Sequence, residues 1–402
     1  MTNLLPEPAT ETGPRPAHGL GSHAVRPDWA PLESAEADAL LQRYPEYAPV
    51  TRVRWHSPRP FSSAAIVETA AGARFIKRHD RRVRTPAELN EEHDFARALA
   101  ARRVPVSLAH RALDGRSALS DGRWTYEVHD VAPGVDLYRD AVSWSPFRSL
   151  AHARSAGRAL ATFQRAAAGY QAGRRAASVL VSRFEVIASA QPAATLQRLL
   201  TERPLLADYL RQRAWPADYA RVLAPLHREL APLLPRLVPS WTHNDWHASN
   251  LTWTTDDDQA EVATILDLGL ADRTTAMYDL ATAIERNAIP WLDVQDGRDS
   301  PADLAAAGAL IDGYAGVRPL AALDIQVLLA LLPIVHVDFA LAEVEYYHGL
   351  VRNAAYADLA YDGFLLGHAL WFQGRHGSEL RRYLAERLAD ARPAGPRGFA
   401  VD

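Results

Sequence analysis

The chain has 402 residues, a formal net charge of −4 and a hydrophobic share of 48%. This length and apolar content predict a globular protein of two or three packed units and exclude a disordered chain. The charge gives no reason to expect a nucleic-acid or membrane partner. The absence of cysteine excludes disulfides, thiolate zinc sites and cysteine nucleophiles. No basic segment followed by an apolar run opens the sequence, so we expect no signal peptide and a cytoplasmic location.

Four segments are predicted in chain order. Residues 1–30 are proline-rich and lack apolar periodicity, which predicts a flexible tail, and residues 391–402 have the same character. Residues 31–132 mix short strands with helices, whereas residues 133–390 are mainly helical. The predicted fold class is therefore α+β, with a small β-rich N-lobe and a larger helical C-lobe. In such two-lobed chains the cleft between the lobes is the expected site.

Turn and proline signals divide the N-lobe into short elements. Ala70-Ala71-Gly72-Ala73 separates two apolar runs, which predicts a hairpin. Thr85-Pro86 predicts the start of a helix, because proline is favoured in the first helical turn. The predicted helices are 31–44 and 87–101, the predicted strands are 64–69, 74–78, 104–108 and 123–129, and a linker is expected at 131–134.

Helical periodicity dominates the C-lobe. The predicted helices are 146–171, 196–209, 217–234, 301–314, 320–349 and 367–388, with a small β region at 241–268. The most apolar stretch, 325–344, contains Pro333, Asp338 and Glu343. These residues suit a buried helix of a bundle better than a membrane span.

One residue is unusual within the composition. Lys77, on the second arm of the predicted hairpin, is the only lysine among 44 lysine and arginine residues. Arginine serves as well as lysine where only surface charge is needed, but its planar group is too wide for a position that requires a point cation. Lys77 is therefore a candidate for such a position.

The densest polar cluster is Trp-Thr-His-Asn-Asp-Trp-His-Ala-Ser-Asn at 241–250. An apolar hairpin follows and ends in Asp267, which it would return to the side of Asn250. The Asn250 side-chain oxygen and Asp267 are then two oxygen ligands suited to Mg²⁺, with Asp245 nearby as a base for an acceptor hydroxyl. This arrangement predicts phosphoryl transfer. Lys77 would neutralise the nucleotide phosphates, oriented by Glu92 or by the adjacent Glu91.

His243-Asn244-Asp245-Trp246-His247-Ala248-Ser249-Asn250 resembles the catalytic loop of the protein-kinase-like fold, in the variant typical of the aminoglycoside phosphotransferase family. The segments 266–269, 278–280 and 91–95 are similar to other motifs of that family and favour Glu92 as the partner of Lys77. The resemblance covers roughly residues 50–380. It implies a bilobal protein-kinase-like fold, ATP and Mg²⁺ as cofactors, and backbone contacts to adenine at Asp130-Val131-Ala132. The implied reaction phosphorylates a hydroxyl of a small molecule, such as an amine-bearing metabolite, an amino sugar or an antibiotic.

Two departures from the family pattern stand out. The loop expected to cover the nucleotide, 55–63, contains no glycine, so that Ser62 and Ser63 are the residues expected to assist phosphate binding. Asn244 takes the place of the usual glycine or arginine, and Leu268 that of an aromatic residue.

Other interpretations remain open from the sequence. The His-Asn-Asp-Trp-His run also suits a metal-dependent hydrolase, and the glycine-free loop suits a nucleotide-binding pseudokinase scaffold. On the long apolar helix, Asp338, Glu343 and Glu345 would form either a solvated face or an acidic cleft for a cationic substrate, and the solvated face is the favoured interpretation. The oligomeric state is not predicted.

Overall fold

The computed structural model describes residues 15–16, 24–25, 27–139, 141 and 143–390. The predicted tail 391–402 and most of the predicted tail 1–30 lie outside these residues. Asp28 and Trp29 are described, and they dock onto the C-lobe: the Trp29 indole N–H donates to the Tyr346 hydroxyl, and that hydroxyl donates to Asp28, both at 3.0 Å. Residues 28 and 29, which lie within the predicted tail 1–30, therefore pack against the C-lobe.

The N-lobe is built on a five-stranded antiparallel sheet in the order β1-β2-β3-β5-β4. Its strands are β1 Val50–His56, β2 Ser63–Thr69, β3 Gly72–Asp80, β4 Leu119–Asp121 and β5 Trp124–Asp130. The predicted hairpin between β2 and β3 is present, and Gly72 adopts a left-handed φ of 115° at its turn. Residues 104–108 form only an isolated bridge, Val106 to Ile265, in place of the predicted strand. Pro105 lacks the N–H that a continuous ladder requires.

Two helices flank this sheet on opposite faces. Helix α1, Ser34–Leu41, buries Leu40 and Leu41 against the face that carries Ile76. Because side chains alternate along a strand, Lys77 points to the other face, toward the C-lobe. Helix α2, Pro86–Ala100, lies on that side and begins with Thr85 in a capping box.

The C-lobe is a helical bundle that carries two short hairpin-like pairs of strands. Its strands are β6 Pro239–Thr242, β7 Leu251–Trp253, β8 Val262–Ile265 and β9 Asp272–Thr275; β6 pairs with β9 and β7 with β8. Its helices are α3 Leu150–Ala167, α4 Pro192–Glu202, α5 Pro204–Leu210, α6 215–236, α7 Ala276–Ala288, α8 Trp291–Gln295, α9 Leu304–Ala315, α10 Ala322–Val351, α11 354–373 and α12 Arg375–Asp390. Pro204 divides the helix predicted at 196–209 into α4 and α5.

Close helix packing forms the centre of this lobe. Helices α3 and α9 approach so closely that a Cβ at Gly157 would lie 1.9 Å from the Leu310 carbonyl oxygen. The long helix α10 is apolar enough to cross a membrane by length and composition, but 89% of its most apolar window is buried inside the fold. It therefore packs as the core helix that the sequence predicts.

Candidate active site

The loop 243–250 follows β6 and is held by side chains on both sides of it. The Asp279 carboxylate at the start of α7 accepts from the backbone N–H groups of His243 and Asn244 at 3.1 and 2.8 Å. The His243 ring donates through Nε2 to the Leu266 carbonyl at 2.9 Å and accepts the Asp245 N–H on Nδ1 at 3.2 Å. Because both ring nitrogens are used, His243 anchors the loop and is not free to bind a metal.

Asn244 has a left-handed backbone with φ 63°, the conformation for which glycine is the usual residue. Asparagine is one of the few other residues that tolerate this region, since its side chain bonds locally. Here its side-chain oxygen accepts from the Thr242 hydroxyl at 2.7 Å, and its side-chain nitrogen donates to the Leu270 carbonyl at 3.1 Å. The departure from glycine is therefore accommodated by side-chain hydrogen bonds.

Asp245, the predicted base, is held in its ionised form. Burial raises the pKa of Asp245, but the Arg286 guanidinium and His247 outweigh this effect and hold the pKa well below its usual range. Arg286 donates to one carboxylate oxygen, and the side-chain nitrogen of Asn250 donates to the other at 3.0 Å. Arg286 was missed by the sequence analysis, because it lies on α7, a helix that the periodicity did not reveal.

The hairpin of β7 and β8 brings Asp267 next to Asn250, as predicted. The Leu266 N–H donates to the Asn250 carbonyl at 2.9 Å, which closes the hairpin one residue before Asp267. Asp267 adopts a left-handed φ of 51° and accepts the Gly269 N–H at 3.0 Å. The two predicted metal ligands thus lie on adjacent backbone segments at the open end of this hairpin.

Lys77 reaches across the cleft and pairs directly with Asp267. Its Nζ lies 3.0 and 3.1 Å from the two carboxylate oxygens. Burial lowers the pKa of Lys77, but Asp267, Glu127 and Glu92 together more than reverse this, so that the pKa lies above its usual value. The same ion pair keeps the pKa of Asp267 below its usual value despite partial burial. The single lysine and the predicted metal-binding carboxylate therefore face each other across the two lobes.

Glu92 does not pair with Lys77, which corrects the predicted partnership. Its carboxylate accepts from Arg84 at 2.9 Å and from Arg175. Each of these buried arginines also donates to the Gly269 carbonyl at 2.8 Å. Two guanidinium groups thus outcompete one ammonium for Glu92, and the carboxylate supports the turn that carries Asp267.

The loop between β1 and β2, which is predicted to cover the nucleotide, contacts the loop 243–250 through an arginine. Arg59 donates to the Asn250 side-chain oxygen at 2.5 Å and to the Ser249 carbonyl at 2.6 Å. Ser63 is buried at the start of β2, opposite Arg78, and Ser62 precedes it. A phosphate role for Ser62 and Ser63 stays a prediction, whereas Arg59 was not singled out from the sequence.

The segment predicted to contact adenine connects the lobes. Asp130 ends β5 and is exposed, with Arg74 and His110 at 3.3 and 3.1 Å, and Val131 and Ala132 are half-buried. The Pro133 carbonyl then accepts from the hydroxyls of the two threonines at 252 and 264, at 2.6 and 3.0 Å. This linker is thereby tied to the hairpin that carries the site, and its contact with adenine stays a prediction.

The acidic residues of α10 are buried, so the interpretation as a solvated face is wrong. Asp338 accepts from the backbone N–H groups of residues 185–187 at 3.0 to 3.1 Å, and Glu345 pairs with Arg203 at 2.7 Å. Glu343 is different, since no described residue donates a hydrogen bond to it in the structure. Burial raises its pKa to about 8, and Arg286 only partly opposes this.

The site has the oxygen ligands that a hard cation requires. Asn250 and Asp267 offer an amide and a carboxylate oxygen, and cationic groups of the chain, Arg59 and Lys77, already lie against them. Oxygen ligands of this kind, held next to each other, fit Mg²⁺. The donor set therefore agrees with the cofactor that the sequence predicts.

Comparisons with known proteins agree with this geometry. The phosphotransferase enzyme family, APH, matches residues 61–320. An aminoglycoside phosphotransferase from Alicyclobacillus acidocaldarius has a TM-score of 0.50 at 15% identity, over 90% of this chain and 97% of that chain. Spectinomycin phosphotransferase APH(9)-Ia, solved with ADP and spectinomycin, has a TM-score of 0.51 at 10% identity, over 89% and 99%. Amicoumacin kinase hAmiN, solved with AMP-PNP and Ca²⁺, has a TM-score of 0.50 at 13% identity, over 89% and 92%.

No curated protein matches the sequence. The family match spans well over half of the chain, and the structural similarities concern the fold. The predicted family, the bilobal α+β fold class and the predicted enzyme class, a small-molecule kinase, are confirmed. The chain belongs to the phosphotransferase enzyme family, APH.

Proposed function

We propose that this protein transfers the γ-phosphoryl group of ATP to a hydroxyl group of a small, amine-bearing molecule in the cytoplasm. The observation that supports this most strongly is the ionised Asp245 beside Asn250 and Asp267, with Lys77 facing them from the other lobe. A base, two oxygen donors and a point cation in one cleft are the components of phosphoryl transfer.

Each side chain has a defined task in this proposal. Asp245 orients the acceptor hydroxyl and takes its proton, and Arg286 fixes the carboxylate in position. Lys77 neutralises the phosphates once the nucleotide separates it from Asp267. Asn250 and Asp267 would hold Mg²⁺, which supplies charge neutralisation between the phosphates.

The hydrolase alternative is not supported by this geometry. His243 would have to bind the metal through a ring nitrogen, but both nitrogens are already hydrogen-bonded to the backbone. The remaining histidine of the loop, His247, bonds the Ser249 hydroxyl at 2.8 Å. The confirmed family also argues against a scaffold that lacks activity.

The amine in the acceptor is inferred from two buried groups on α10. Glu343 and Tyr347 lie one helical turn apart on the same face, and the Tyr347 hydroxyl has no hydrogen-bond partner among the described residues. Phe339, one turn before Glu343, lies under the Arg286 guanidinium at 5.1 Å, and Arg286 holds Asp245. An ammonium group bound at Glu343 would therefore lie close to the catalytic base.

A coupled assay of ADP release tests this function. Purified protein with ATP and Mg²⁺ is screened against hydroxyl compounds in pairs that differ only by an amine. We expect turnover with amine-bearing members and little with their neutral counterparts. Turnover of neutral compounds alone would contradict the amine, and the absence of nucleotide binding by calorimetry would contradict the kinase function itself.

The Glu343→Gln variant should show a pH-dependent difference in stability. The pKa of Glu343 is raised to about 8 in the folded protein from 4.5, so the folded state binds the proton more tightly than the unfolded state. The stabilisation that protonated Glu343 gives the folded state is complete below pH 4.5 and is lost as the pH rises through 8. Glutamine stays neutral, so the variant should gain about 2–4 kcal/mol relative to wild type between pH 5 and pH 9.

Urea unfolding at both pH values measures this difference. Glu46→Gln is the control, since the side chain of Glu46 is 83% exposed and should give no such change. A Glu343→Gln curve parallel to wild type would show that Glu343 titrates normally and would remove the basis for an amine site.

Lys77→Arg should lower kcat about 10²-fold even though it conserves the charge. The guanidinium is planar and wide, and it cannot place a compact charge 3.0 Å from Asp267 within the same space. Steady-state kinetics with ATP measures the effect, and Arg81→Lys on the exposed turn after β3 is the control. A fully active Lys77→Arg variant would show that a point cation is not needed.

A further inference from the structure

The loop between β1 and β2 is unusual in its chemistry. Its sequence, Ser57-Pro58-Arg59-Pro60-Phe61-Ser62, contains two prolines and no glycine. Proline has no backbone N–H, so two positions of this loop cannot donate to a phosphate oxygen. The N–H groups of Ser57, Arg59 and Ser62 already donate within the chain, so a side chain is the more available donor to a phosphate.

Arg59 is the side chain that extends into the cleft. Its two terminal nitrogens donate to the Asn250 side-chain oxygen and the Ser249 carbonyl, at 2.5 and 2.6 Å. The arginine is half-buried, and its charge lowers the pKa of Asp267, although less than Lys77 does. The guanidinium thus contacts one predicted metal ligand, Asn250, and its charge acts on the other, Asp267.

The loop holds this arginine in a defined position. Pro60 restricts the backbone of the residue before it to extended conformations, and the Ser57 hydroxyl accepts the Arg59 N–H at 3.3 Å. Phe61 then packs edge-on against Phe339 and Tyr346, with ring centroids at 6.4 and 5.1 Å. The loop backbone is therefore restricted around Arg59. Phe61, two residues further along the chain, attaches the loop to the C-lobe.

We propose that Arg59 is a catalytic residue that binds the terminal phosphates of the nucleotide in place of backbone amides. This inference rests on the proposed kinase function. A guanidinium group matches a phosphate with two parallel hydrogen bonds, and it keeps its charge at every physiological pH. When the nucleotide binds with its metal, Arg59 would give up its hydrogen bonds to Asn250 and Ser249 and donate to phosphate oxygens instead. Asn250 is thereby released to bind the metal.

Calorimetry with a series of nucleotides tests this role without depending on the acceptor. Wild type, Arg59→Ala and Arg59→Lys are titrated with AMP, ADP and ATP in the presence of Mg²⁺. We expect Arg59→Ala to weaken ATP binding about 10- to 100-fold and to leave AMP binding unchanged. The ATP affinity of Arg59→Lys should lie between those of wild type and Arg59→Ala, because lysine keeps the charge but loses the paired hydrogen bonds. Arg52→Ala on β1 is the control: its side chain is 62% exposed and pairs with Glu68, and its loss should change no nucleotide affinity.

The outcomes separate this proposal from the kinase function. If wild type binds ATP much more tightly than AMP and Arg59→Ala does the same, Arg59 is not a phosphate ligand, although the kinase function stands. An equal loss for AMP and ATP would assign Arg59 to loop closure alone and would also overturn the proposal. If wild type binds no nucleotide, both proposals fail. Arg59→Gln keeps the side-chain length and gives the same comparison if the alanine variant is unstable.

Discussion

Replacing Asp245 with asparagine is expected to lower kcat by about 10² to 10⁴, equivalent to roughly 3–5 kcal/mol of barrier. The amide conserves the shape of the side chain, and its oxygen can still accept from Arg286, but it cannot take a proton from a hydroxyl group. Lys77 and Asp267 keep their positions, so nucleotide affinity should change little. Steady-state kinetics on the acceptor found in the screen, with calorimetry for ATP, measures the two effects.

The control for this variant is Asp256→Asn, at the exposed turn between β7 and β8. It removes one negative charge close in sequence to Asp245 without altering the cleft, so its kcat should equal that of wild type. Undiminished turnover by Asp245→Asn would exclude Asp245 as the base. A parallel loss of ATP affinity would instead assign Asp245 to nucleotide binding.

Glu92→Gln is expected to lower the free energy of unfolding by about 3–5 kcal/mol. The carboxylate is buried between Arg84 and Arg175, and both guanidinium groups are themselves buried. Without it Arg84 loses its carboxylate partner and Arg175 keeps Glu91 at 3.7 Å, so the cost of burying the two positive charges is offset much less. Because both arginines also bond the Gly269 carbonyl, the turn that carries Asp267 should loosen as well.

The adjacent Glu91 provides a matched control. Its side chain is 34% exposed, lies 3.7 Å from the Arg175 Nε and accepts the Ala176 N–H at 3.1 and 3.2 Å. Glu91→Gln should cost less than about 1 kcal/mol, as for other exposed carboxylates. Urea unfolding compares the two variants. If Glu92→Gln lost activity with no loss of stability, Glu92 would act on Lys77 after all and not on the two arginines.

Short-range patterns predicted the parts of the site that lie close together in sequence. Asp245 and Asn250 share one loop, and a hairpin with a clear apolar pattern returns Asp267 to Asn250. Proline at the first turn marked the start of α2. Side chains alternate along β3, so one face of the strand packs against α1 and the other faces the cleft. This alternation puts Lys77 on the cleft side.

Helix α7 shows where periodicity fails. Twelve of its residues are buried, among them Asp279, Glu285 and Arg286, so it has no polar outer face. Polar residues of an amphipathic helix are expected to face solvent, so nothing in the sequence indicated that the polar face of α7 is buried against the loop 243–250. The arginine that holds the predicted base was therefore not visible from the sequence.

The sequence by itself determined the family, the two-lobed fold and the order of Asp245, Asn250 and Asp267, since each depends on local spacing. Only the tertiary structure decided which charges meet: Lys77 pairs with Asp267, Glu92 with two arginines, and Asn250 with Arg59. Attraction between charges depends on distance in space and on burial, and neither can be read from positions 83 or 190 residues apart in the chain.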